Sequence, residues 1–168
     1  MRAAKAFVTL MTAAGITVWA GSGAAAQEAQ NRGGSQLVSA DDYAAIQQLY
    51  AEYCYHWDLA TDDGSAVASV FAEDGMLKFG TTEVKGRSAL AEYYVKNERP
   101  TPRNRHVMTN FWITRVDSTT GRVHARMLAH PDGTPVTIQR HSVLDDLVVK
   151  TADGWKIKRR SPLVLPSR

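Results

Sequence analysis

The sequence is poor in cysteine, because Cys54 is the only one among its 168 residues. A single thiol cannot form a disulfide within the chain, so an internal disulfide scaffold is excluded. The folded state must therefore depend on a hydrophobic core, which a chain of this length can bury. Cys54 lies within an aromatic helical pattern, which favours a small buried hydrophobe over a nucleophile.

The sequence also lacks the motifs of several enzyme classes. It contains no glycine-rich phosphate loop and no G-x-S-x-G turn, so nucleotide hydrolysis and serine-esterase chemistry have no support. Its five histidines do not follow a metal-binding pattern: His124 and His130 are six residues apart, and His56 and His141 lack a carboxylate–histidine set at ligand spacing. We expect neither a metal nor a cofactor.

Basic residues are in only small excess over acidic residues once the first residues are set aside. Two basic residues, Arg2 and Lys5, precede the first acidic residue, Glu28, and without them the formal net charge falls from +3 to +1. So weak a field does not attract nucleic acid or anionic lipid, apart from the short basic run "KIKRR". We expect no nucleic-acid partner.

Long apolar runs are missing except over residues 6–20, which follow Arg2 and Lys5. That run is shorter than the roughly 20 residues of a membrane span. It leads into an A-x-A pattern ending at Ala26, so residues 1–26 are predicted to be a secretory signal peptide, with an uncleaved anchor as the alternative. Cleavage would leave an exported protein, periplasmic or secreted, with no membrane span and a flexible lead-in over 27–37.

Apolar spacing predicts helices first and strands afterwards. Ser39 and Asp42 form an S-x-x-D start signal for a helix from about Ala40 to Trp57, followed by helices over 66–74 and 88–97 with the strand "GMLKFG" between them. The period then changes to two in "HVMTNFWITRV", "GRVHARMLAH", "VTIQRHSVLDDLVVKT", with a bulge near Ser142, and "WKIKRRSPLVL". This order predicts an α+β domain over 38–168, with helices on one face of a curved antiparallel sheet.

The strand that begins at His106 has two different faces. Alternation places the mixed polar and apolar residues His106, Met108, Asn110 and Trp112 on one face, as in a ligand pocket, and the apolar residues Val107, Phe111 and Ile113 on the other. The second face fits a core or an interface. Asn110 is either a pocket donor or a satisfied strand residue.

His106 and Asp58, which ends the run "YCYHWD", are the residue types of an acid–base pair. A histidine can act as a general base near neutral pH, because its ordinary pKa is about 6.5. A carboxylate on the far ring nitrogen fixes which nitrogen carries the proton. The alternative is that His106 is a structural residue at the start of a strand, since sequence alone does not show contact.

Four segments in order, "IQQLYAEYCYHWD", "VASVFAEDG", "RHVMTN" and "DGWKIKRR", resemble the nuclear transport factor 2-like superfamily, in its SnoaL-like (polyketide-cyclase-like) branch. The resemblance covers Val38 to Leu165. It implies a cone-shaped curved sheet closed by about three N-terminal helices around one apolar pocket. Relatives in this branch include bile-acid 7α-dehydratase, scytalone dehydratase, a hexachlorocyclohexane dehydrochlorinase and proteins without catalysis, and they often dimerise, so a homo-oligomer is an open alternative.

The resemblance also implies roles for particular residues. His106 matches the base of these enzymes, and Asp58 matches the aspartate that orients it. Tyr53, five residues before Asp58, matches a tyrosine of the bile-acid enzyme, where the dehydrochlorinase has a lysine. Arg160, five residues after the tryptophan of "GWK", matches an arginine. The second histidine of scytalone dehydratase has no counterpart here.

The supporting residues have structural alternatives. Tyr53 can be a core aromatic whose hydroxyl is paired. Alternation groups Arg159 with Ile157, so only one of Arg159 and Arg160 enters a pocket unless a bulge intervenes. The remaining residues predicted to line or support the pocket are Trp57, Phe71, Met108, Asn110 and Trp112.

Together these observations predict an exported lyase or isomerase, dehydratase-like, acting without a cofactor on an apolar, partly oxygenated small molecule. His106 would remove a proton while Asp58 holds the imidazole, and Tyr53 and Arg160 would stabilise an oxyanion or protonate the leaving group. One alternative is a non-catalytic protein of the same fold that binds a small ligand. Another is the small subunit of a ring-hydroxylating dioxygenase, which the predicted export signal disfavours.

Overall fold

The computed structural model describes residues 36–59, 63–97, 104–133, 135, 137–138 and 140–165. The predicted signal peptide and residues 27–35 of the predicted lead-in lie outside the described residues, and both stay predictions. The last two residues of the lead-in are attached to the sheet. Leu37 forms a bridge with Thr114, and the carbonyl of Gln36 accepts a hydrogen bond of 2.6 Å from the Arg115 N–H.

The described residues form three helices: α1 (Ala40–Leu59), α2 (Ser65–Ser69) and α3 (Arg87–Asn97). Helix α1 begins at the predicted S-x-x-D signal, where the Asp42 N–H donates to Ser39 Oγ at 3.1 Å. Acidic residues in its first turn face the positive end of the helix dipole. Its buried side chains are Ile46, Leu49, Tyr50 and Tyr53, which pack into one core with the sheet.

Within the described ranges, seven strands form the sheet: β1 (Phe71–Phe79), β2 (Thr82–Lys85), β3 (Asn104–Arg115), β4 (Thr120–Pro131), β5 (Arg140–Thr151), β6 (Gly154–Arg160) and β7 (Pro162–Val164). Their order is β2-β1-β6-β5-β4-β3, and β7 pairs with β5. Strands β3 to β6 form the predicted antiparallel meander, whereas β1 runs parallel to β6. The predicted α+β class is confirmed, with a curved, open and mixed sheet.

Two early elements differ from their sequence predictions because distant partners override local patterns. The helix predicted over 66–74 ends at Ser69, since the carbonyl of Val70 accepts a hydrogen bond of 2.9 Å from the Ile157 N–H and Phe71 pairs with Ile157 in the sheet. Strand β2 was not predicted. It returns from β1 through a two-residue turn in which Gly80 has a φ of 60°, as primed hairpin turns require.

The bulge predicted near Ser142 is wrong, since the register of β5 against β4 continues unbroken past that residue. A shift occurs instead between β5 and β6, where Lys158 is an extra residue in β6. A bulge changes the face on which the following side chains lie. Arg160 therefore shares the buried face of Ile157 and is 1% exposed, while Arg159 is half-buried on the other face.

A second bulge, in β3, overturns the predicted alternation. The register against β4 shifts at Asn110, which has a φ of 56° and is exposed. Beyond it Phe111 packs against the core, and Trp112 is 57% exposed and stacks on His124. The prediction that Asn110 and Trp112 face the pocket is wrong, because strict alternation does not continue through an inserted residue.

Asp42 connects the start of α1 to the sheet. Its Oδ1 accepts hydrogen bonds of 2.8 Å from Lys150 Nζ and 2.9 Å from Trp155 Nε1. The hydrogen bond from Lys150, and then the one from Trp155, lower the pKa of Asp42 from 3.8 to about 2. This carboxylate is therefore more stable as an anion in the folded chain than in the unfolded chain.

We expect Asp42→Asn to lower the free energy of unfolding at pH 7 by about 1–2 kcal/mol, because two charge-assisted hydrogen bonds are weakened. The folded pKa lies below the unfolded value of 3.8, so this stabilisation is present above that pH and is lost as the pH falls towards 2. Urea unfolding at pH 7 and pH 2 measures the effect. Asp41→Asn, at an exposed residue in the same turn, is the control, and an equal deficit at both pH values would contradict the explanation.

Candidate active site

A cavity of about 270 Å³ lies between α1, α3 and the inner face of the sheet. This volume is close to the lower end of the roughly 300–1,000 Å³ typical of small-molecule sites. The cavity is lined by Tyr53, Trp57, Leu77, Phe79, Tyr93, Tyr94, Asn97, Asn104, His106, Met127, Arg140, Arg160 and Pro162. It thus combines a largely aromatic wall with a few cationic and amide groups.

The last turn of α1 and the start of β3 bring Asp58 and His106 together. Asp58 Oδ1 lies 2.6 Å from His106 Nδ1, and Asp58 Oδ2 accepts a hydrogen bond of 2.8 Å from the His106 backbone N–H. The two side chains are only 13% and 4% exposed, respectively. The predicted contact is therefore present, and it fixes both the ring and the backbone of His106.

Trp57, the residue before Asp58, holds the plane of the imidazole. Its ring stacks on that of His106 with a centroid distance of 3.9 Å and an interplanar angle of 13°. The stack adds to the contact between Asp58 and Nδ1 and so restricts rotation of the imidazole. The sequence predicted Trp57 as a pocket residue, but it did not reveal this contact.

Arg105 fixes the end of α1 against the start of β3. Its Nη1 donates a hydrogen bond of 2.6 Å to the backbone carbonyl of Asp58, while its other nitrogens contact the carboxylate of Asp132 at 2.7 and 2.8 Å. The pair is partly exposed, so its net contribution to stability is small. Its effect is geometric, because it holds the backbone that carries Asp58.

Tyr53 lies deeper in the cavity wall, next to Tyr94 of α3. Their hydroxyl oxygens are 3.1 Å apart, and either group can be the donor. Arg160 lies beneath Tyr53, with its guanidinium carbon 3.9 Å from the ring centroid. Burial raises the pKa of Tyr53 well above its ordinary value of 10, although the charge of Arg160 opposes the shift. The hydroxyl therefore stays protonated and can donate.

Arg160 is itself almost fully enclosed. Its Nη1 lies 3.6 Å from Oδ2 of Asp146, and its Nη2 lies 3.4 Å from the sulfur of Met127. Asp146 also accepts hydrogen bonds of 2.8 Å from the Tyr50 hydroxyl and 2.7 Å from the Ser161 N–H. Nη1 of Arg160 is buried without a hydrogen-bond partner. The N–H groups of Nη1 therefore make no hydrogen bond, although this nitrogen is in ion-pair contact with Asp146.

Comparison with known proteins identifies the chain at the level of its family. The profile described as the SnoaL-like domain matches residues 38–161. The chain belongs to this SnoaL-like family. The search among curated proteins found no match. The predicted superfamily and branch are therefore confirmed.

Solved structures share the SnoaL-like architecture. The Mycobacterium tuberculosis protein Rv3472, of unknown function, is 26% identical, with 75% of this chain and 73% of that chain covered and a TM-score of 0.67. A candidate scytalone dehydratase from Novosphingobium aromaticivorans is 25% identical, with 74% and 85% covered and a TM-score of 0.65. A Catenulispora acidiphila protein in complex with S-DNPA is 21% identical, with 75% and 95% covered and a TM-score of 0.66, which shows the fold alone.

Two further predicted pocket residues of this SnoaL-like domain pack in or against the core and do not line the cavity. Phe71 packs edge-on against Tyr53 at a centroid distance of 6.3 Å and is fully buried. Met108 is partly buried against the core. Neither of them is among the residues that line the cavity, and neither are Asn110 and Trp112.

Sequence reasoning missed Tyr94, Asp146 and Arg140. Tyr94 lies four residues after the buried Leu90, so its helical spacing was a usable signal. Asp146 had no clear signal, because apolar residues occur on both faces of β5 and either alternation fits. Arg140 lies within the predicted strand "VTIQRHSVLDDLVVKT", whose apolar pattern does not assign it to a face.

Metal-binding groups and membrane-spanning helices are both absent from the described ranges. Within them, no group of three or more His, Cys, Asp or Glu side chains is arranged to hold a metal ion. None of the helices in the same ranges is long and apolar enough to cross a membrane.

Proposed function

We propose that this SnoaL-like domain is a small-molecule lyase or isomerase of the dehydratase type, which uses acid–base chemistry supplied by its own side chains. The observation that carries the proposal is the double contact between Asp58 and His106. One carboxylate oxygen binds the ring Nδ1 and the other binds the backbone N–H. This arrangement fixes the orientation of an imidazole that lines the cavity.

The first step that this geometry supports is removal of a proton from carbon by His106. With Nδ1–H donated to Asp58, the lone pair of Nε2 is available to accept the proton. The electrons of the C–H bond then move towards an adjacent carbonyl and form an enolate. In a dehydration, the enolate re-forms the carbonyl and expels the hydroxyl on the β carbon, which takes up the proton held by His106 Nε2 and leaves as water. Asp58 stabilises the imidazolium formed on the way.

Tyr53 and Arg160 are the groups proposed to meet the developing negative charge. The Tyr53 hydroxyl stays protonated because burial raises its pKa, so it can donate to an oxyanion or a leaving group. Arg160, whose Nη1 has no hydrogen-bond partner, adds a second donor in a buried environment, where such interactions are strong. Apolar walls from Trp57 and Leu77 suit an apolar, partly oxygenated substrate, and the candidate scytalone dehydratase relative supports dehydration as the reaction.

A second candidate function is ligand binding without turnover. One observation favours it: the Tyr53 hydroxyl is already hydrogen-bonded to Tyr94, and Arg160 is already paired with Asp146. Groups that are satisfied within the protein gain less from a developing charge than unpaired groups do. The two candidates therefore differ in whether a bound carbon acid exchanges its proton.

Deuterium exchange separates the two candidates. We expect the protein in D₂O to speed the entry of deuterium next to the carbonyl of 1-tetralone, and to convert 3-hydroxycyclohexanone into the conjugated enone. Proton NMR measures the exchange, ultraviolet absorbance measures the enone, and calorimetry measures binding of the same compounds. Binding of these compounds with exchange no faster than in buffer would instead establish the ligand-binding candidate.

A further inference from the structure

The charged groups of the cavity wall are all basic. Among the lining residues in the described part of the chain there are two arginines, Arg140 and Arg160, and no aspartate or glutamate. Asp58 lies behind the wall, where both of its oxygens contact His106. The cavity therefore presents positive charge to a ligand, although the chain as a whole carries a formal net charge of only +3.

The two arginines differ in whether their charge is compensated. Arg160 is fully buried and is paired with Asp146 at 3.6 Å. Arg140 is exposed, and none of the described carboxylates lies within ion-pair distance of it. Its guanidinium carbon lies 5.6 Å from the centroid of the Phe79 ring, which also lines the cavity. Arg140 is thus an uncompensated cation that an aromatic ring holds at the cavity.

Strand register places Arg140 in the same row of the sheet as His106. His106 lies opposite Ala129 across β3 and β4, and Ala129 lies opposite Arg140 across β4 and β5. Directly opposite residues share a face, and adjacent strands are about 4.8 Å apart, so the two backbones are roughly 10 Å apart. The residue between them in this row, Ala129, has a small side chain.

We propose that the substrate is an apolar organic acid whose carboxylate binds Arg140 while its acidic C–H faces His106. The planar fork of a guanidinium matches a carboxylate in two parallel hydrogen bonds. The separation along the row places the carboxylate and the reacting carbon at different ends of the molecule. The proposal rests on the proposed function, and it specifies the substrate class of the same site.

Tyr93 provides a second polar group beside Arg140. Burial raises the pKa of Tyr93, and the positive charge of Arg140 opposes that shift, which reflects their proximity. Both residues line the cavity. A phenol that stays protonated can donate a further hydrogen bond to a carboxylate at this position.

The test compares 1-tetralone-6-carboxylate with its methyl ester, which differs in the charge of one group distant from the exchangeable C–H. We expect the wild type to bind the acid about 10- to 100-fold more tightly than the ester, the range of charge-assisted hydrogen bonds. Arg140→Gln should remove this preference for the acid and change the affinity for the ester by less than about threefold. Arg140→Lys should keep part of the preference, because it keeps the charge without the planar fork. Arg126→Gln removes an exposed charge from β4 outside the cavity and should change neither affinity.

This proposal would be overturned if the wild type bound the acid and the ester equally or bound neither detectably. It would also be overturned if Arg140→Gln lowered the affinity for the acid and for the ester by the same factor. Failure of the carboxylate site and failure of the proposed function can be distinguished by measuring deuterium exchange in the wild type and in His106→Ala. Exchange that depends on His106 but does not distinguish acid from ester rejects only the carboxylate site. Absence of exchange that depends on His106, together with a retained preference for the acid, rejects only the catalytic function.

Discussion

His106→Ala is expected to lower kcat by about 10²- to 10⁴-fold while it changes the dissociation constant of the ligand by less than about threefold. A general base contributes about this much to a rate, and it acts mainly in the transition state. Asp58→Asn should cost about 10²-fold or more, because an amide cannot hold the imidazole in the required tautomer. The corresponding aspartate of a serine-protease triad contributes about 10⁴-fold.

The double variant tests whether the two residues act as one unit. Its activity should be close to that of the weaker single variant, since the base and the group that orients it are not independent. His141→Gln is a matched control, because this histidine lies on β5 and does not line the cavity. Turnover of the deuterium-exchange substrates, with calorimetry for binding, provides the measurement. Losses that multiply would show that Asp58 and His106 contribute separately.

The second large effect is expected from the buried pair of Arg160 and Asp146. Arg160→Met should lower the free energy of unfolding by about 3–5 kcal/mol, because it leaves the Asp146 carboxylate buried without its counter-charge. The two side chains are only 1% and 0% exposed, so water cannot replace the lost partner. Urea unfolding at neutral pH measures the effect, and Lys156→Met, which removes a partly exposed charge from the same strand, is the control.

The double variant Arg160→Met with Asp146→Asn should recover part of this stability, because a neutral amide needs no counter-charge and can still bind the Tyr50 hydroxyl and the Ser161 N–H. It should not recover turnover, since the buried N–H donor of Arg160 is still missing. Stability losses of the single variants that simply add would contradict the assignment of a coupled pair.

The pH dependence of Arg160→Met provides a further check on the same pair. Burial already raises the pKa of Asp146, and the charge of Arg160 opposes that rise, so its removal should raise the pKa further. A carboxyl whose folded pKa exceeds its unfolded value binds protons more tightly when folded. The deficit of Arg160→Met should therefore be smaller at pH 4 than at pH 8, and a deficit that grows in acid would exclude this explanation.

Most of the fold could be predicted from the sequence because its signals are local. The S-x-x-D signal marks the start of α1, and the change of apolar period from helical to alternating separates the helices from the meander. The second half of β1 was predicted as the strand "GMLKFG", but its first residues and its parallel pairing with β6 could not be predicted in this way. The segment after Ser69 has helical spacing, and only contact with Ile157 makes Phe71 a strand residue.

The candidate site, like the fold, could be predicted from the sequence only in part. The types and order of Asp58 and His106 pointed to a dyad, and the structure brings them within 2.6 Å, while their catalytic role stays a prediction. The sequence could not decide that Trp112 lies outside and Arg160 inside. Both outcomes depend on single inserted residues, at Asn110 in β3 and Lys158 in β6. A bulge reverses every later side chain, and its position is set by strand partners that are remote in the chain.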